Sequence, residues 1–414
     1  MFGIKRYRQA IFSGRLAGLA LVCSGLIAAP SLSVSQTIKI GELNSYKSQP
    51  AFLGPYKNGM QLAVDQINDK GGVNGKQLEL IVRDDHGNPA DAVRVAEELL
   101  SRDKVDVLTG TFLSHVGMAV SDYARHKKRF FLASEPLTDK MVWSDGNRYT
   151  YRLRNSTYMQ VAMLIPAAVK MNKKRWAIVY PNYEYGQSAV RTFKKLLSEA
   201  QPDVEFVSEQ ATPLGKVDAG SVVQALADAE PDALFNVLFA TDVARFVRAG
   251  NQRHVFDDLP VVSMLTGEPE YLDPLGTETP EGWVVTGYPW YDIDTPEHEA
   301  FLSAYQERYD DHPRLGTLIG YNTILSLAAG IDKAGSTDTE DLIEAFSGLE
   351  LMTPVGQIRY RELDNQSTMG AHVGRLAIQD GKGVMVDSYY ADGADVQPDD
   401  DDVRQWRPES ADQP

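Results

Sequence analysis

Cysteine is almost missing from this chain: Cys23 stands alone among 414 residues. That excludes an intrachain disulfide, and the seven scattered histidines leave little from which to build a Cys/His metal site. No metal and no cofactor is expected. Positive charge is also short, with 41 Lys and Arg against 57 Asp and Glu, a formal charge of −16. A nucleic-acid binder needs a basic footprint, and so does a protein held on a membrane surface by polybasic segments. Beyond residue 36 no uninterrupted apolar run approaches the roughly 18 residues of a membrane helix. There is no G-x-G-x-x-G after a strand, no Walker loop and no G-x-S-x-G elbow. His298-Glu299 has no second histidine four residues after His298, which excludes a zincin helix. The pairs Asp84-Asp85 and Asp257-Asp258 read as solvated turns. No nucleophile–base–orienter set is visible by spacing.

What is there is an ordinary globular composition, 43% apolar and 24% charged, at a length that calls for two domains. Residues 1–36 stand apart. Lys5, Arg6, Arg8 and Arg15 precede the apolar run Leu16–Ala29, with small residues and Pro30 after it, as in a secretory signal peptide. Cleavage is expected between Ala29 and Gln36. An uncleaved anchor and lipidation at Cys23 are the competing readings; Val22 before that cysteine is larger than lipoprotein processing prefers. Loss of the leader removes four cations and no acid, and takes the formal charge to −20. The mature protein is expected outside the cytoplasm, periplasmic or extracellular.

From Thr37 onward strands and helices alternate. Thr37–Leu43, Leu78–Arg83, Val105–Thr109 and Phe130–Ala133 read as strands. Between them, helices are expected over Tyr56–Lys70, from Pro89, and over Gly117–Lys127. The pattern restarts after residue 155, with strands at Trp176–Tyr180, Val204–Ser208, Ala233–Leu238 and Val261–Leu265 among helices such as Gln187–Ala200 and Val243–Asn251. Such alternation predicts an α/β fold of βαβ units with parallel sheets. Residues 391–414, with the run Asp399–Asp402, are expected to be a loose acidic tail.

In open α/β sheets ligands bind outside the carboxyl ends of the strands. Three loops there are rich in polar and aromatic residues. Thr109-Gly110-Thr111-Phe112-Leu113-Ser114-His115 places Ser114 before a helix, where it can cap the helix and where free amides favour an anion. Ala133-Ser134-Glu135-Pro136-Leu137-Thr138 is the second. Pro181-Asn182-Tyr183-Glu184-Tyr185-Gly186-Gln187-Ser188 is the third, with Tyr185 placed either to meet a ligand or to pack.

Gly54-Pro55 entering a helix, then Ala63-Val64-Asp65-Gln66-Ile67-Asn68 and Gly71-Gly72-Val73-Asn74-Gly75, resembles exported leucine-binding-type receptors. These are type I periplasmic binding proteins that serve branched-chain amino-acid ABC transporters. Asp84-Asp85 with Asn88-Pro89, Tyr185-Gly186 and Gly316–Tyr321 fit the same pattern, and the likeness covers residues 37–390. It implies two Rossmann-like lobes joined by three crossings, near 154, 286 and 365, with a ligand cleft between them. The lobes would be 37–154 with 286–365, and 155–285 with 366–390.

The resemblance also implies site residues. Ser114 matches the serine that meets a ligand carboxylate. Glu135 and Leu137 stand where amino-acid binders present a small residue and a threonine hydroxyl. Tyr185 matches a second-lobe tyrosine, and Glu268 lies in the loop of the ammonium-binding acid. Leu53 falls where an aromatic lines the first loop, and Phe239-Ala240 in another contact loop. Leu137 removes a hydroxyl and Glu135 adds a carboxylate, costly if buried without a partner. Either the ligand brings positive charge or donors, or Glu135 turns away or pairs with Arg152 or Arg154. Phe112, His115, Tyr183 and Trp290 either build an aromatic slot or belong to the core.

These residues together read as a solute-binding protein, not an enzyme, closing two lobes on a small amino acid, short amide or aromatic carboxylate. It would hand its ligand to an ABC permease with its ATPase subunits. A ligand-sensing receptor of the same fold is the alternative, and an exported hydrolase a more distant one.

Overall fold

The computed structural model describes residues 37–413. The leader, its cleavage region and Cys23 lie outside the described residues. Strands β1 (Thr37–Asn44), β2 (Gln77–Asp84), β3 (Val107–Gly110), β4 (Phe131–Ala133) and β5 (Thr150–Arg152) form one sheet in the order β2-β1-β3-β4-β5, parallel throughout. Helices α1 (Pro50–Asp69), α2 (Pro89–Ser101) and α3 (Ser114–Lys127) connect its first four strands.

Helix α4 (Thr157–Lys170) opens the second lobe. There β6 (Arg175–Pro181), α5 (Glu184–Ala200), β7 (Glu205–Thr212), α6 (Ala219–Ala229), β8 (Ala233–Asn236), α7 (Ala240–Gln252), β9 (Val261–Gly267), α8 (Pro269–Leu272) and β10 (Val284–Gly287) come in turn. The chain then returns to the first lobe through α9 (Pro296–Tyr309), α10 (Leu315–Ala334), α11 (Thr339–Phe346) and the hairpin β11 (Glu350–Thr353) and β12 (Gly356–Arg359). It finishes in the second sheet with β13 (Ala371–Gln379) and β14 (Lys382–Ala391), giving the order β14-β13-β10-β9-β8-β6-β7.

Two Rossmann-like lobes are therefore present, as expected, with one departure: β13 runs antiparallel to β10 and to β14, so the second sheet is parallel only in part. The chain changes sheet between Arg152 and Thr157, between Gly287 and Pro296, and between Arg359 and Ala371. Position 286 itself falls inside β10, which pairs with β9.

Several helices begin a turn or more before their apolar periodicity. Helix α1 starts at Pro50 rather than Tyr56, because proline at the first helical position loses no hydrogen bond, and Gly54-Pro55 lies within it. Helix α3 starts at Ser114 rather than Gly117, and α5 at Glu184 rather than Gln187.

Helices α1 and α10 pack at backbone contact. A Cβ on Gly59 would lie 2.0 Å from the Thr317 carbonyl oxygen, and one on Gly320 would lie 2.0 Å from that of Tyr56. Backbone cannot give way as a side chain can. Gly320→Ala gains helix propensity but must part the pair, and a net loss of about 2 kcal/mol is expected in urea denaturation. Unchanged stability would show that the two helices have slack.

The acidic tail is not loose. Residues beyond β14 form α12 (Gly393–Val396) and α13 (Asp400–Trp406), and Asp399 caps the latter by accepting from Asp402 N. The acidic run is thus the negative first turn of a helix, where the dipole favours it. Val403 is fully buried, Arg407 Nη1 donates to Val142 O at 2.6 Å, and Arg148 N donates to Ala411 O at 2.8 Å. The Trp406 ring meets Trp143 of the first lobe at 5.0 Å and Tyr158 of α4 at 6.0 Å, with Lys195 Nζ 4.6 Å from its centroid. The tail thus ties the two lobes together a fourth time. Trp406→Ala should cost about 2 kcal/mol in the same denaturation measurement; no change would mean that the tail docks without stabilising.

Candidate functional site

The carboxyl ends of β3, β4, β6, β8 and β9 converge on a narrow pocket between the lobes, lined by Phe112, Ser114, Glu135, Leu137, Arg154, Tyr183, Tyr185, Phe239 and Leu265. Three non-glycine residues in or next to its lining have left-handed backbone: Leu265 (φ 66°) in the wall, Thr111 (φ 64°) before Phe112 and Ala240 (φ 52°) after Phe239. Such conformations cost on the order of 1–3 kcal/mol each and persist where the surroundings fix them. Thr111 is held by its own N–H, which donates to Leu43 O at 2.8 Å. Gly110 before it (φ 118°) leaves room for the Leu43 carbonyl, which a Cβ would meet at 2.3 Å.

Ser114 is the first residue of α3 and not its cap; Leu113 holds that position without a side-chain bond. The Ser114 hydroxyl accepts from Thr138 N at 3.3 Å, which leaves its proton to give. The first intrahelical bond of α3 runs from Gly117 N to Leu113 O, so the amides of Ser114, His115 and Val116 precede it and form a positive helix end.

Arg154, on the first passage between the lobes, is the centre of the charge pattern. Its Nη1 donates to Glu135 Oε2 at 3.0 Å, and its Nη2 donates to Glu268 Oε1. Glu135 follows β4 of the first lobe and Glu268 follows β9 of the second, so one guanidinium joins both. All three side chains are buried, and Glu135 Oε1 and Glu268 Oε2 have no partner. Burial pushes the Glu135 carboxyl up to about 7 against the pull of Arg154. Burial also pushes Glu268 up to about 8, with Glu270 and Glu135 adding to it and Arg154 opposing. Glu270 is raised to about 7 by burial, although it accepts from Gly316 N at 2.6 Å and Leu315 N at 3.3 Å. Burial works against the charge on Arg154, yet Glu268 and Glu135 hold it firmly protonated.

Aromatic rings supply the walls. Phe112 lies 5.1 Å from Phe52 of α1 and 6.1 Å from Phe239, the residue before α7. Tyr185 meets Phe239 edge-on at 5.6 Å, and Tyr183 lies 5.9 Å from Tyr185. The Tyr185 hydroxyl is buried without a partner, and burial lifts its ionisation well above the usual phenol range.

The structure thus brings together Ser114, Glu135, Leu137, Tyr185, Phe112 and Phe239. Glu268 touches the pocket only through Arg154 and instead lines a second chamber behind it. His115 stands behind the wall, edge-on to Tyr183 at 5.4 Å, its ionisation lowered by burial. Leu53 does not reach the pocket. It is buried in the first-lobe core, one residue along α1 from Phe52, whose ring lies under the Arg154 guanidinium at 5.4 Å. Ala240 starts α7 and contributes its strained backbone rather than a wall. Trp290 leaves the aromatic slot altogether and stacks on His312 at 4.8 Å.

Sequence reasoning had placed Arg154 only as one of two partners for Glu135. Arg152 goes elsewhere, donating to Gln366 and to Thr138 O. The signal for Arg154 was Glu135 itself, an acid in a buried loop that required a cation. Leu265 carried no such signal, because its role depends on a backbone angle.

Comparisons with known proteins identify the family and the fold. The family model described as periplasmic binding protein matches residues 37–382. The Leu/Ile/Val-binding protein homolog 7 of Brucella suis is 26% identical over 402 residues, covering 91% of this chain and 97% of its own. The leucine-, isoleucine-, valine-, threonine- and alanine-binding protein of Pseudomonas aeruginosa is 24% identical over 334 residues, 79% of this chain and 87% of its own. Among solved structures, an ABC-transporter solute-binding protein of Rhodopseudomonas palustris in complex with 3,4-dihydroxybenzoic acid superposes with a TM-score of 0.78 at 22% identity, covering 86% of this chain and 98% of its own. A branched-chain amino acid transporter substrate-binding protein of Streptococcus pneumoniae in complex with isoleucine superposes with a TM-score of 0.75 at 19% identity, covering 86% of this chain and 100% of its own. By its sequence match and its two-lobed fold, this chain belongs to the periplasmic binding protein family.

Proposed function

We propose that this protein is the extracytoplasmic solute-binding subunit of an ABC importer and that its ligand is a small aromatic carboxylate. The observation that carries the reading is the Arg154 guanidinium in the lining of an aromatic-walled pocket that Ser114, the first residue of α3, also lines. A carboxylate in that pocket meets the Ser114 proton, the first amides of α3 and the free N–H groups of Arg154. A flat ring then lies among Phe112, Tyr183, Tyr185 and Phe239, with Leu137 and Leu265 closing the remaining sides.

A branched-chain amino acid fits this arrangement less well. Its ammonium group would seek Glu268, which is already bound to Arg154 and faces away from the pocket. Its partner hydroxyl is absent at Leu137. The relatives that hold benzoates and those that hold isoleucine share the fold, so the fold does not decide between them.

Binding would proceed by closure. Ser114, Glu135 and Phe112 belong to the first lobe, and Tyr183, Tyr185, Phe239 and Leu265 to the second, so a ligand touching both sets favours the closed form. A permease with its ATPases would read that form, and residues 1–36 would direct export. Among the described residues no helix is long and apolar enough to cross a membrane.

A thermal-shift panel tests the assignment, with benzoate, the hydroxybenzoates, leucine, isoleucine, valine, short amides and urea. A ligand at 100 times its Kd adds about 2.7 kcal/mol, a shift of several degrees. Shifts confined to the aromatic acids support the reading. Shifts confined to the branched-chain amino acids reject it in favour of the amino-acid receptor.

A further inference from the structure

Behind Arg154 lies a second, small chamber, bordered by Glu268, Asn155, Gln160, Thr286 and Leu318. The guanidinium is the partition: it lines both spaces, whereas Glu135 faces only the front pocket and Glu268 only the rear chamber. Each acid gives Arg154 one oxygen and keeps the other without a partner. With Glu270 close enough to raise both, three buried carboxyls surround one cation. Without that cation, the same walls would present two acids, one from each lobe, to a single merged cavity.

We propose that Arg154 sets the charge class of the ligand, so that one substitution at this position turns an acid-binding site into an amine-binding one. The inference rests on the solute-binding function proposed above. It adds to it a specificity-determining residue that no comparison assigns. The physical reason is local. In the wild-type site the guanidinium attracts a carboxylate and repels an ammonium, and it occupies the acids that an ammonium would need. Coulomb energies between groups a few ångströms apart and shielded from water are large enough to decide between the two.

The test is calorimetric titration near neutral pH with two ligands of nearly the same shape and opposite charge, 4-hydroxybenzoate and benzylammonium. The wild-type protein should bind the acid and not the amine. Arg154→Gln keeps polar bulk without charge. It should weaken the acid at least 100-fold and should bind benzylammonium measurably. Glu268→Gln frees one arm of Arg154 and should tighten the acid about tenfold. An Arg154→Gln protein that melts cooperatively yet keeps the acid within threefold, or that gains no affinity for the amine, overturns the proposal. If that variant does not fold, Glu268→Gln decides: unchanged or weaker binding of the acid overturns it. A wild-type protein that prefers benzylammonium overturns the role of Arg154 directly. A wild-type protein that binds neither compound but responds to leucine sinks the aromatic-acid reading instead, which separates the two failures.

Discussion

Raising the pH from about 6.5 to about 9 should lower the melting temperature of the ligand-free protein by ~5 °C or more. Most proteins owe stability to carboxylates that are easier to ionise when folded, as Glu97, Asp103 and Asp203 are here; the buried acids around Arg154 do the reverse. Burial raises Glu135 and Glu270 to about 7 and Glu268 to about 8, and lifts Glu42 well above its usual range. In the unfolded chain each ionises near 4.3. A carboxyl raised on folding stabilises fully below its unfolded value, and that contribution is lost as pH rises through the folded one. The window for the three glutamates around Arg154 therefore closes between about 7 and about 8. The loss is on the order of a few kcal/mol, because the three are coupled and do not add in full.

Below 6.5 the histidines work the other way. Burial holds His298 and His372 down to about 4, so their contribution is lost as pH falls from about 6.5. The slope is thus clean only on the alkaline side. A carboxylate ligand placed beside Arg154 raises Glu135 and Glu268 further, so binding takes up protons and its Kd should rise over the same window. Glu268→Gln should flatten both profiles. A melting temperature that climbs from pH ~6.5 to ~9 would show that these acids are ionised in the folded protein.

The architecture was legible because it is written in periodicity. Met60, Ala63, Val64 and Ile67 lie on one face of α1, and the core strands are short apolar runs such as Phe131–Ala133. The site was legible only in part, for a physical reason. Ser114, Glu184 and Ala240 open helices whose first turns face the ligand pocket or the opposing lobe, so the apolar pattern starts a turn late in α3, α5 and α7. The periodicity hides the helix starts at the point where function needs them. Leu53 and Phe52 show the same limit at finer grain. The two are adjacent on α1 and both buried, and it is the Phe52 ring that meets Phe112 and Arg154, while the pocket wall does not include Leu53. A shift of one position around a helix turns a side chain by about 100°, which residue types alone do not fix. The tail failed for another reason. A run of four aspartates suggests repulsion, but at the start of a helix it is a favourable first turn, and Val403, Trp406 and Arg407 anchor the helix to both lobes.

Replacing Phe112 should have the largest effect on binding among the wall residues. Its ring is the one aromatic of the first lobe that lines the pocket, and it lies between Phe52 on its own lobe and Phe239 across the cleft. The Phe112–Phe239 pair spans the two lobes, so the ring should contribute to closure as well as to the ligand. Phe112→Ala removes ring contacts on both sides and a wall of the pocket. The expected loss is about 3 kcal/mol, a rise in Kd for 4-hydroxybenzoate of roughly 100-fold. Phe112→Leu keeps most of the apolar volume and loses the ring geometry, so it should cost about tenfold. The order matters more than either figure. If volume closes the cleft, leucine rescues most of the loss; if ring stacking recognises the ligand, leucine rescues little. Calorimetry with benzoate and with its saturated analogue cyclohexanecarboxylate separates these, because only the aromatic ligand should distinguish leucine from phenylalanine. Binding of 4-hydroxybenzoate to Phe112→Ala within threefold of the wild-type value would place the ligand outside this pocket.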